Sequence, residues 1–133
     1  MKKPQVTIID TIPLPRGIAG LSDGNTIWLN PHLTAAGRRC TLEHELVHIE
    51  RGIAPKEYEA REERTVDRIA AARLTPLSEL LDSIIWHQGE GTRGAIAETL
   101  GVDIAMLQAR LEIVTDAERQ AINHALAELP QIP

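Results

Sequence analysis

The chain is 133 residues long, the size of one domain, with 43% hydrophobic residues, 25% charged residues and a formal net charge of −5. That balance excludes a disordered or fibrous chain, leaves room for a real core, and weighs against a broad nucleic-acid surface, because phosphate binding draws its affinity from Lys and Arg. Aromatic residues make up only 2% and Phe is absent, so the core has to be built from Leu, Ile, Val and Ala, which favours helices.

Near the N-terminus, Asp10 and the prolines at 4, 13 and 15 interrupt what would otherwise be an apolar signal core. No apolar run approaches the roughly 18 residues needed to span a bilayer. The single cysteine, Cys40, excludes an internal disulfide and a multi-cysteine metal cluster. These features lead to the expectation of a soluble cytoplasmic protein with no membrane partner.

In chain order, β-branched residues in "QVTIIDTI" (5–12) predict a first strand, and "GIAGLSDGNTIWLN" predicts a hairpin turning at Asp23-Gly24-Asn25. Pro31 ends strand pairing. Thr34 then suits the N-cap of a helix that runs to about Arg51 and stops at Gly52. A second helical stretch opens at Pro55 and runs into Pro76, and "PLSELLDSIIW" predicts a third, short helix. After the loop "HQGEGTRG", the segment from Gly94 to Leu129 predicts two or three more helices, with breaks at Gly101 and near Thr115. Strands first and helices afterwards indicate an α+β fold, a small N-terminal antiparallel sheet followed by a helical body. We read one domain over 1–133: strands and hairpin in 1–33, two helices in 34–76, and a C-terminal helical part in 77–133.

The chemistry lies late in the first predicted helix, where "TLEHELVHIERG" spells His44-Glu45-x-x-His48. Residues four apart share a helix face, so both imidazoles can address one ion. Glu45, one position after His44, can reach a water held by that ion without ligating it. This is the arrangement of zinc metallopeptidases, with the glutamate as general base. Three fixed positions also recur by chance, and beside Glu43, Glu45 and Glu50 the two histidines could be ordinary helix-surface residues. Leu42, Leu46, Val47 and Ile49 tip the balance, because they bury the helix and bring the histidines to the edge of the core.

A catalytic zinc needs a third protein ligand and an open position. The following segment offers Glu57, Glu59, Glu62 and Glu63. Glu63 is favoured, because Asp67 follows on the same helical face and can hydrogen-bond the second nitrogen of a ligating histidine. Glu62, which shares a face with Val66 and Ile69, is the rival.

His-Glu-Leu-x-His late in a helix, a hairpin before it and "ERTVDRIAAARLTP" after it resemble the ImmA/IrrE metallopeptidases, whose second segment runs Glu-x-x-Ala-Asn/Asp-x-Phe-Ala-x-x-Leu-Leu-x-Pro. The resemblance covers about Ile18 to Pro76. It implies Zn2+ held by His44, His48 and Glu63, with Glu45 as general base and Asp67 as the Asn/Asp position. Ala70, Leu74 and Pro76 match further positions. Val47 stands where the family usually has Gly, Val66 where it has Ala, Ile69 where it has Phe, and Arg73 where it has Leu. The activity implied is zinc-dependent cleavage of a protein, typically a helix-turn-helix repressor of a phage, mobile element or stress circuit.

The residues alone leave other possibilities open. Iron or manganese can occupy a site of two histidines and one carboxylate. The domain could also be a non-proteolytic zinc-containing module that regulates a repressor by docking. His32, Tyr58 and His87 are candidate oxyanion donors without supporting spacing. The sheet edge near "NTIWLN" could hold an extended substrate by strand addition. "GAIAETLGVDIAMLQARL" looks like a helix-turn-helix with Leu107 and Leu111 as packing positions. From Glu90 to Glu118, however, acidic residues outnumber Arg93 and Arg110, so core packing or partner docking is favoured and no direct nucleic-acid contact is expected. Cys40 reads as a small buried residue. The oligomeric state stays open.

Overall fold

The computed structural model describes residues 5–130. Three short strands come first: β1 (Thr7–Ile9), β2 (Gly20–Asp23) and β3 (Thr26–Leu29). β2 and β3 form the expected hairpin, antiparallel, with Gly20 opposite Leu29 and Asp23 opposite Thr26. β1 departs from expectation. It covers only part of 5–12, lies on the far side of β3 and runs parallel to it, with Ile8 opposite Ile27. The sheet is therefore mixed, in the order β1-β3-β2, rather than wholly antiparallel. Parallel neighbours need a long return connection, and residues 10–25, which include Pro13, Pro15 and all of β2, supply it.

Six helices follow, so the α+β order holds. Helix α1 (Ala35–Arg51) starts where Thr34 accepts a hydrogen bond from the Gly37 N–H, and it ends at Gly52, whose φ of 82° suits a residue without a side chain. A 3-10 turn at Lys56–Tyr58 leads into α2 (Glu59–Leu74), which stops ahead of Pro76. Helices α3 (Leu77–Trp86), α4 (Arg93–Leu100), α5 (Ile104–Glu112) and α6 (Asp116–Ala127) complete the chain, the last three N-capped by Thr92, Asp103 and Thr115. No helix among the described residues is long and apolar enough to cross a membrane.

The core sits between α1, α2 and the C-terminal helices. Cys40 and Val47 from α1, Val66, Ala70, Ala71 and Leu74 from α2, and Met106 and Leu107 from α5 are all buried in it. Cys40 is thus a small buried residue as read, and burial pushes its thiol pKa up. Val47 and Val66, both larger than the resemblance expects, fill the same core. Arg73, where Leu was expected, instead bridges the two helices, donating to Glu50 (2.5 Å) and to the buried Glu43 (3.4 Å).

The helix-turn-helix-like segment is α4 and α5. Leu107 is buried as expected, but Leu111 is 36% exposed. The packing face of α5 is turned toward α2 and α4 and stops short of Leu111. Arg110, 3% exposed, donates to the Thr75 carbonyl (2.6 Å) and to Glu118 Oε2 (2.7 Å), which ties α5 to the end of α2 and to the start of α6. The Arg110 guanidinium, helped by the Thr115 N–H, holds the Glu118 carboxyl below its ordinary value.

Close approach of β2 to α1 depends on Gly20. A Cβ there would lie 2.5 Å from Thr41 Cγ2 and 3.2 Å from the Trp28 carbonyl oxygen. We expect Gly20→Ala to cost about 1–3 kcal/mol through overpacking, and Thr41→Ser, which removes the clashing methyl, to recover part of it in urea melts. A second expectation concerns pH. Because the Glu118 carboxyl is depressed on folding, its stabilisation is complete above its unfolded value and is lost as pH falls through the folded one. The stability difference between wild type and Glu118→Gln should therefore be constant near neutrality and vanish well below the ordinary value of 4.5.

Candidate metal centre

The last two turns of α1 and the first half of α2 face each other across the mouth of a cleft of about 910 Å³. Helical spacing puts His44 and His48 one turn apart on the face of α1 that borders this cleft, with ring centroids 4.7 Å apart. Their Nε2 atoms converge to 3.1 Å. Glu63, projecting from α2, places Oε2 3.0 Å from His44 Nε2 and Oε1 2.8 Å from His48 Nε2. Asp67, one turn further along α2, sits with Oδ1 2.7 Å from His44 Nδ1. If that contact is the Nδ1–H donating to Asp67, the His44 Nε2 lone pair points at the other two donors.

This donor set fits a metal ion. One atom each from His44, His48 and Glu63 can be chosen so that all lie within 4.8 Å of one another. Ligands on a tetrahedral zinc, at bonds of about 2.0–2.1 Å, stand roughly 3.3 Å apart, close to the spacing found. Glu62, the rival ligand, also lines the cleft but is not in the converging donor set. Both its carboxylate oxygens accept from Arg51 at the end of α1, with Nη2 to Oε2 at 3.0 Å. That guanidinium holds the Glu62 carboxyl below the usual carboxylate range.

Glu45 follows His44 on α1 and also lines the cleft, yet it is only 8% exposed. Its Oε2 accepts a hydrogen bond from the Ser22 hydroxyl at 2.5 Å. Ser22 was not singled out from the sequence. Strand alternation places Gly20 and Ser22 on one face of β2, but only the packing of β2 on α1 reveals what that face meets.

Besides Glu45, Glu63 and Asp67, the cleft walls carry Asp23, Glu59, Glu62 and Asp103, and among the described residues no Lys or Arg lines it. One wall is β2, whose outer edge has no strand partner among the described residues. The stretch expected to offer a sheet edge, Asn25–Leu29, is instead β3, the central strand. Its backbone groups are engaged on both sides, so an added strand can pair only along β2 or β1, and of these β2 borders the cleft. His32, Tyr58 and His87 do not line the cleft. His87 contacts the Thr99 hydroxyl at 2.7 Å, and Tyr58 lies under the Arg61 guanidinium.

Searches of the curated proteins and of the solved structures found no match. A family model described as the IrrE N-terminal-like domain, Peptidase_M78, matches residues 9–112, from the end of β1 to the end of α5. That span contains the whole converging donor set, and the chain accordingly belongs to the Peptidase_M78 family, a family of metal-dependent, peptidase-type enzymes.

Proposed function

We propose that this domain hydrolyses a peptide bond in a protein substrate, with zinc held by His44, His48 and Glu63 and with Glu45 as general base. The observation that carries this reading is the convergence of two imidazole nitrogens and one carboxylate within 3.1 Å of one another, in the cleft that also holds Glu45.

Zinc at this position would supply Lewis acidity, activating a water molecule and polarising the scissile carbonyl. The chain's own residues do the rest. Asp67 fixes the tautomer and the ring orientation of His44. Glu45, secured at Oε2, keeps its other oxygen available to take the proton from water and to return it to the leaving amine. The open edge of β2 offers backbone donors and acceptors to an extended chain, which suits a peptide of loosely defined sequence. The acidic walls, which carry no Lys or Arg among the described residues, would repel a phosphate backbone, which favours a polypeptide over a nucleic acid in the cleft. Within this reading, the resemblance to ImmA/IrrE points to a helix-turn-helix repressor of a phage, mobile element or stress circuit as the substrate.

Metal content measured by elemental analysis tests the site. We expect about one zinc per chain in wild type and in Glu62→Ala, and none in Glu63→Ala. Asp67→Asn should weaken metal affinity by about 10- to 100-fold. Loss of metal in Glu62→Ala alone, or a wild type that takes up none from added zinc, would sink the assignment.

The enzymatic role rests on Glu45→Gln. This variant should keep its zinc and its fold while losing cleavage of a candidate repressor by at least about 100-fold, as followed by mass spectrometry. Full regulatory function retained in Glu45→Gln would instead favour a module that acts by docking.

A further inference from the structure

We propose that Ser22 is a positioning residue for Glu45, fixing one oxygen of the carboxylate so that the other meets the substrate water. The proposal rests on the peptidase reading above and adds to it a residue outside the motif helices.

Glu45 is a nearly buried carboxylate with no Lys, Arg or His ion-pair partner among the described residues. A nearly buried carboxyl in that position needs a hydrogen-bond partner. Among the described residues, the Ser22 hydroxyl is the one hydrogen-bond donor to the Glu45 side chain. A glutamate has three rotatable side-chain bonds, and one anchored oxygen leaves the carboxylate far fewer orientations.

The backbone around Ser22 is arranged to deliver this contact. Along β2 the half-buried and exposed positions alternate, so Gly20 and Ser22 face inward while Leu21 and Asp23 face out. A Cβ at Gly20 would meet Thr41 Cγ2 and would come within 3.5 Å of Glu45 Cγ. Thr41 and Glu45 lie one turn apart on α1. The missing side chain at 20 thus brings the strand down onto that turn, and the short side chain at 22 spans what gap remains. Ser22 also pairs with Ile27 of β3, which fixes its place along the sheet.

One strand therefore does two things. Its inner face holds the general base, and its outer edge is the place where an extended peptide would pair. Substrate and base are referred to the same few backbone atoms, so the base is aligned before the peptide arrives. Preorganisation of this kind lowers the cost of reaching the reactive geometry.

Acetohydroxamate is a suitable probe, because it chelates zinc and passes its hydroxyl proton to a neighbouring carboxylate. Its affinity would be measured for zinc-loaded wild type, Ser22→Ala and Ser22→Thr, each with Glu45 intact and with Glu45→Gln. With Glu45 present, Ser22→Ala should bind about three- to tenfold more weakly, the size of one lost hydrogen bond. Zinc content should not change, and Ser22→Thr, which keeps the hydroxyl, should recover to within about twofold of wild type. In the Glu45→Gln background the loss from Ser22→Ala should shrink to nothing, because the carboxamide, although it can still accept from Ser22, cannot take the hydroxamate proton. An equal loss in both backgrounds would mark Ser22 as merely structural, and no loss in either would show that the contact does not orient Glu45; both overturn the proposal. Zinc content is read separately from hydroxamate affinity. A wild type that takes up no zinc, or that takes up zinc and leaves the hydroxamate unbound, fails the peptidase reading itself and removes the assignment of Ser22 with it. Normal zinc and hydroxamate binding with no dependence on Ser22 fails the assignment alone.

Discussion

Helices α1 and α2 must lie side by side at a fixed distance and register, because the histidines come from one and Glu63 and Asp67 from the other. Apolar burial sets the distance. Ala70 and Ala71 are fully buried and small, which lets the helices approach closely, and Val47 and Val66 fill what space is left. Polar pairs then set the register: Arg73 reaches from α2 to Glu43 and Glu50, and Arg51 reaches from the end of α1 to Glu62. Pairs that stay open to solvent on at least one side contribute little to stability, because water screens them. Their value here is alignment, since a slip of one helical turn would carry Glu63 away from both imidazoles.

The sheet matters chiefly through β2. As an edge strand it has no strand partner on its outer side among the described residues, and its inner face rests against the turn of α1 that carries Glu45. The two properties are linked by the mixed topology. With β1 on the far side of β3, the central strand is saturated and the strand nearest the motif is left open.

The C-terminal helices act as a buttress. Helix α5 packs against α2, and Arg110 links the end of α2 to α5 and α6 through the Thr75 carbonyl and Glu118. Arg39 on α1 donates to the carbonyls of Leu74, Leu100 and Gly101, and so satisfies groups at the ends of α2 and α4 that no helical N–H can reach. A helix-turn-helix-like pair is thus spent on the scaffold of the site. That agrees with the acidic character of the segment, in which Arg110 is buried and engaged.

Local signals were enough for much of this. The Thr34 cap, the Gly52 stop and the barrier at Pro76 bound the two site helices because capping and proline geometry act within a few residues. The spacing of His44 and His48, and of Glu63 and Asp67, put each pair on one helical face for the same reason. Long-range packing decided the rest. The parallel pairing of β1, and with it the choice of β2 rather than β3 as the open edge, depends on where a long connection returns. Glu62 and Glu63 were both available to the metal from the sequence, and they were separated only when Arg51, eleven residues from Glu62, came within hydrogen-bonding reach of it. The contact between Ser22 and Glu45 spans 23 positions and had no local signature at all. Sequence periodicity assigns residues to faces of single elements, whereas the meeting of two faces is a property of their packing.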